Sequence, residues 1–197
     1  MRRPAALSLA MTAAFALAAC GGDRGVETVD CRKFNASPSE YYNKISGLPG
    51  ALNNDDRQFI CRAAIGESAG VVFARMASRR AASPVVRDYA QRMAYDHAKT
   101  HEELAALARG EAGIAAPAGL DAPHLGQRDE LAGLSGPAFD SAYLRAALDE
   151  GTKLIGIYQK EIKDGGSPTF RRFAADSLEM LQERLRMTQR VGGQTTF

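Results

Sequence analysis

The stretch SPVVRDYAQRMAYDHAKTHEELAALARG (residues 83–110) decides how the rest of the chain is read. Its Ser-Pro opening is a helix start: serine can receive a first-turn N–H, and proline at the first helical position lacks a donor that would have no partner there anyway. Val86, Ala90, Met93, Leu104 and Leu107 then recur at helical spacing, and Gly110 closes the run. At about 100° per residue, Val86, His97, Thr100, Leu104 and Leu107 fall within about 40° of a seam centred on Met93, with Ala90 near its edge. A helix with such a stripe must bury it against other elements.

The flanking sequence supplies them. Asn54 or Asp55 can cap a helix over residues 55–81, with Phe59, Ala63, Val71 or Val72, and Met76 on one face, weakened locally by Gly66 and Gly70. Gly136 and Pro137 open a third helix to residue 163, carrying Phe139, Tyr143, Ala146 or Ala147, Leu154 and Tyr158, and Asp164-Gly165-Gly166 stops it. Ser167 and Pro168 start a fourth, with Phe170, Phe173 or Ala174, Leu178, Leu181, Leu185 and Val191 on its face, ended by Gly192 and Gly193. Residues 110–136, rich in Gly, Ala and Pro, read as a connection outside the core, with a short helix over 127–134. Tight links make helices one and two, and three and four, antiparallel hairpins, while the long connection can run the length of the molecule. The expected fold is all-α: an antiparallel four-helix bundle, ferritin-like, with a long crossover between helices two and three. A plain up-down bundle is the alternative.

The N-terminus carries a different message. Arg2 and Arg3 precede the apolar run 5–19, the pattern of an export signal, and LAAC (residues 17–20) resembles the bacterial lipobox. The division expected is therefore a lipoprotein signal peptide at 1–19, a flexible tether at 20–52 from a lipidated Cys20, and the bundle domain at 53–193. Three acyl chains would hold such a protein on a membrane. By resemblance to the sorting rule of enteric bacteria, Gly21 directs it to the periplasmic face of the outer membrane. Losing the leader removes two of the 25 basic residues and none of the 23 acidic ones, so the mature chain is neutral. No basic field or module for nucleic acid remains. Cys31 and Cys61 are then either a disulfide of an oxidising compartment, or a buried Cys61 beside a free Cys31.

The candidate site lies in the opening stretch. His97 points inward, with His101 and Asp96 at opposite edges of the stripe, and imidazoles four residues apart on a helix can share one metal. Other donors at that depth would be Glu67, Asp149 or Glu150, and Glu179 or Glu183, with His124 left in the crossover. The simpler reading is a seam histidine hydrogen-bonded to a neighbour. No nucleophile elbow, Cys-His arrangement or close carboxylate pair can be placed, so no catalytic residue is assigned.

SPVVRDYAQRMAYDH, LAGLSGPAFDSAYLRAAL and SLEMLQERL together resemble a family of exported bacterial proteins of unknown function, read as ferritin-like bundles, over residues 59–191. The resemblance implies an acid in the first helix, Asp-His in the second and a histidine in each of the last two. Aligned by flanking residues, these positions fall on Gly70, Asp96 and His97, Gly151 and Arg184. A scaffold that has lost its metal site follows, with no cofactor. The expected role is a lipid-anchored, non-catalytic envelope interaction or stress-related protein, whose partners are the membrane through its anchor and an envelope protein. The alternative is a ferritin-like metal-binding or redox protein holding a transition metal at His97 and His101.

Overall fold

A computed structural model describes residues 28–32 and 52–195. The expected signal peptide, Cys20, Gly21 and most of the expected tether lie outside the described residues. Those described form five helices and no strand: α1 (Asn54–Arg80), α2 (Pro84–Ala112), α3 (Ala122–Ala132), α4 (Gly136–Asp164) and α5 (Pro168–Gln194). The four long helices pack side by side, α1 against α2 and α4, and α5 against α4 and α2. No described helix is long and apolar enough to cross a membrane.

The helix ends correct several sequence expectations. Asn53, rather than Asn54 or Asp55, caps α1: its side chain accepts from the Asp56 N–H while the Asp56 carboxylate accepts from the Asn53 N–H, a reciprocal capping box. Helix α2 continues through Gly110 to Ala112 and stops at Gly113, whose φ of 61° is the left-handed conformation that glycine adopts without strain. Helix α3 begins earlier than residue 127, where Asp121 accepts from the His124 N–H. Helix α5 runs through Gly192 and Gly193 to Gln194.

Two buried aspartates tie the hairpin links to the opposite helices. Asp140 in α4 accepts from the N–H groups of Ala82 and Ser83 at 2.9 and 2.7 Å, and Asp56 in α1 accepts from the Ser167 N–H at 3.0 Å. Each Ser-Pro helix start thus hands its orphan amide to a carboxylate across the bundle. Ser167 is buried, and its N–H could not be left there without such an acceptor.

The core divides in two. One cluster holds Phe73, Val86, Tyr89, Met93, Phe139 and Tyr143, and the other Phe59, Ile60, Leu104, Leu154, Tyr158 and Phe170. Each fully buried side chain of this size contributes about 1.5–3 kcal/mol. The crossover is not outside this core, as its composition suggests: Leu120 and Leu131 are buried in the first cluster, because α3 lays its one apolar face on α4 and α1.

Candidate functional site

Between the two apolar clusters, all four long helices contribute polar groups at one depth. Glu67 comes from α1, His97 and Thr100 from α2, Glu150 from α4, Arg184 and Thr188 from α5. Glu67 is fully buried and receives two partners. His97 Nδ1 lies 2.6 Å from its Oε2, and Arg184 Nη1 lies 3.3 Å from the same oxygen. A carboxylate that accepts from a guanidinium requires the imidazole to donate as well, so Nδ1 of His97 carries a proton. Arg184 Nη2 donates to the Asp96 carbonyl at 2.6 Å and to Thr100 Oγ1 at 2.5 Å.

The remaining hydroxyls have defined directions. Thr188 gives its proton to the Arg184 carbonyl, so Tyr89 is the donor in the 2.5 Å contact between Tyr89 and Thr188. Burial raises the Tyr89 phenol to about 12, against lesser lowering by Thr188 and Arg184. Tyr158, also buried, is pushed well above the usual phenol range by burial and by the charge of Glu67. Its hydroxyl has no hydrogen-bond partner. Both phenols stay protonated at neutral pH.

The positions singled out by family resemblance converge here. Gly70, His97, Gly151 and Arg184 all line one small cavity of about 30 Å³. A methyl on Gly70 would stand 2.6 Å from His97 ring atoms, so this glycine makes room for the imidazole. A methyl on Gly151 would reach Leu185 at 3.2 Å. Arg184 pairs with Glu67, and Asp96 contributes only its backbone carbonyl.

His97, His101 and Asp96 do not converge on a common point. His97 turns to Glu67, His101 Nε2 lies 2.9 Å from the Pro117 carbonyl of the crossover, and Asp96 stands 3.5 Å from exposed Arg92. Among the described residues no group of three or more His, Cys, Asp or Glu side chains is placed to hold a metal ion. A metal at His97 and Glu67 would also have to share its carboxylate with the guanidinium of Arg184. The donor set does not fit a metal centre.

His124, dismissed from sequence as a crossover residue, forms a second cluster. Its Nδ1 lies 2.5 Å from Asp121 and its Nε2 3.0 Å from Glu150. Two carboxylate acceptors call for two ring donors, the imidazolium form. Burial alone would lower its pKa, but the hydrogen bonds and charges of Glu150 and Asp121 together raise it. The only sequence signal was the pair Asp121 and His124 at helix-start spacing. Beside this cluster runs an open cleft of about 550 Å³ between residues 28–32, α1, α3 and α4. Its outer wall is held by a disulfide joining Cys31 to Cys61 and by the Val29 N–H donating to the Leu120 carbonyl.

Fold and site together define an all-α helical protein with an ion network buried at its centre. Residues 46–191 match the model of a family described as a domain of unknown function (DUF4142), and the chain belongs to that family. No curated protein and no solved structure matches the chain.

Proposed function

We propose that this protein is a lipid-anchored, non-catalytic bundle of the cell envelope, ferritin-like in its two antiparallel hairpins and long crossover, whose polar centre is structural. The observation that carries the reading is that Arg184 and His97 share the buried carboxylate of Glu67. A fixed cation occupies the coordination space that a metal would need, and a neutral mature surface leaves interaction with another envelope protein as the outward role. Acylation at Cys20 would place it on the periplasmic face of the outer membrane.

The disulfide gives this anchor a length. Cys31 lies eleven positions after Cys20, a reach of at most about 40 Å for an extended chain. Without the bridge the tether would run to the start of α1 at Asn54, three times as many residues. On this reading the bundle works close to the membrane that holds it.

The second reading, a metal-binding or redox bundle using His97 and His101, rests on the family resemblance, against the two imidazoles turning instead to Glu67 and to the Pro117 carbonyl. Elemental analysis of the gently purified mature protein and of His97→Ala separates the two. Near-stoichiometric Fe, Mn, Zn or Cu that disappears in the variant would overturn the first reading. Palmitate labelling that is lost in Cys20→Ala tests the anchor independently.

A further inference from the structure

We infer that the cavity at the centre of the bundle is a binding site for internal water, and that Glu150 is the wall through which that water exchanges with the outer cleft. Three observations carry this. Arg184 is almost wholly buried, and its Nη1 and Nη2 are spent on Glu67, Thr100 and the Asp96 carbonyl, yet its Nε–H has no protein acceptor. A buried charged group with an unmet donor is strongly disfavoured unless something accepts from it. Arg184 lines a cavity of about 30 Å³, against the roughly 10–15 Å³ of such volume that one water needs, so one or two molecules fit.

The lining decides between water and a small anion. Glu150 borders the cavity, and the charge of Arg184 is already matched by Glu67, so a second anion would meet repulsion without a free cation. Tyr89 donates to Thr188 and so keeps lone pairs to accept a hydrogen bond. Tyr143 lines the cavity beside it. A molecule that accepts from Arg184 and donates to a phenol or a carboxylate matches this set, and water does both.

Glu150 lines the inner cavity and the outer cleft alike. One of its oxygens binds His124 Nε2 at 3.0 Å, and the other lies where a methyl on Gly66 would touch it. Helix α1 carries glycine at that point, which lets the carboxylate sit between the two spaces.

The test uses the mature, disulfide-intact protein and nuclear magnetic resonance of the Arg184 Nε–H. A water cross-peak of the sign given by long residence, unmoved by added bromide, is the expected result. Gly151→Ala should weaken or abolish it by filling the cavity, and Glu150→Ala should speed exchange of the Nε proton with solvent. Absence of the cross-peak in the native chain would overturn the site, as would a bromide-dependent shift, which would mark a small-anion site. Unchanged exchange in a folded Glu150→Ala would overturn the route. If either variant fails to fold, the cross-peak and bromide measurements on the native chain still decide the occupant.

Discussion

The strongest test of the packing at the α4–α5 link is a titration. Glu161 is fully buried in α4, facing Asp56, and neither of its oxygens has a donor directed at it. Asp56 already accepts from the N–H groups of Asn53 and Ser167, which makes it the acceptor of the pair and leaves Glu161 as the group that holds a proton. Burial, then Asp56 and Asp55, push Glu161 up from an ordinary 4.5 to about 8, with Arg171 acting weakly the other way. The folded state therefore binds a proton that the unfolded chain releases between those values. Stability is full below pH 4.5 and falls as pH rises through about 8, with a slope approaching about 1.4 kcal/mol per pH unit. The accumulated loss is on the order of 4 kcal/mol, which for a domain of this size lowers Tm by on the order of 10 °C. Thermal unfolding followed by circular dichroism from pH 5 to 9 should show that decline in the native protein. In Glu161→Gln, whose amide can donate to Asp56 at every pH, most of it should vanish, leaving the smaller slope contributed by His124. Parallel curves for the two proteins would refute the reasoning.

The same packing sets four further outcomes. Glu67→Gln should destabilise by about 3–5 kcal/mol in chemical denaturation, because it strips the counter-charge from buried Arg184. Gly70→Ala should cost about 1–3 kcal/mol through collision with the His97 ring, and the double variant with His97→Ala should cost less than the sum of the two. His124 should titrate above 6.5 by imidazole chemical shift, its contribution to stability present below 6.5 and lost as pH rises through the folded value, and Glu150→Gln should bring the midpoint down. Reducing the Cys31–Cys61 bridge, which closes a loop of 30 residues, should lower stability by about 3–4 kcal/mol, read as a shift in denaturant midpoint.

The long helices were legible because apolar spacing agrees with their start signals, Ser-Pro for α2 and α5 and Gly-Pro for α4, whereas their ends depended on features with no periodic signal. Gly110 fails to stop α2 because it is exposed, and Ala108 and Ala112 on either side of it are buried and hold the last turns. Gly113 succeeds because the chain needs a left-handed residue there to leave the helix. The crossover was misjudged for a related reason: eleven residues of α3 give too few turns for a period to stand out. Leu120 and Leu131 gain their place in the core from what α1 and α4 present to them. His101 shows the limit of a wheel drawn on one helix. Its angle put it at the rim, but its partner is a carbonyl in the crossover, whose path no wheel contains.

The central network has a signature that lies between helices rather than within any one of them. Each long helix breaks its apolar pattern: α1 at Glu67, α2 between Met93 and Leu104, α4 between Ala146 and Leu154, α5 between Leu181 and Val191. Read singly, each gap resembles a weak turn of helix. In a hairpin, however, residues equally far from the link meet, and Glu67 and His97 each stand fifteen residues from Ala82. The same construction about Gly166 sets Gly151 opposite Leu181, each fifteen residues away, with Glu150 and Arg184 within one turn of that level, and all four line the cavity. A buried carboxylate there would be intolerable alone, as would the guanidinium. Because the gaps coincide, each supplies the partner that the other needs, and charge that would destabilise any single helix becomes what fixes the register of all four.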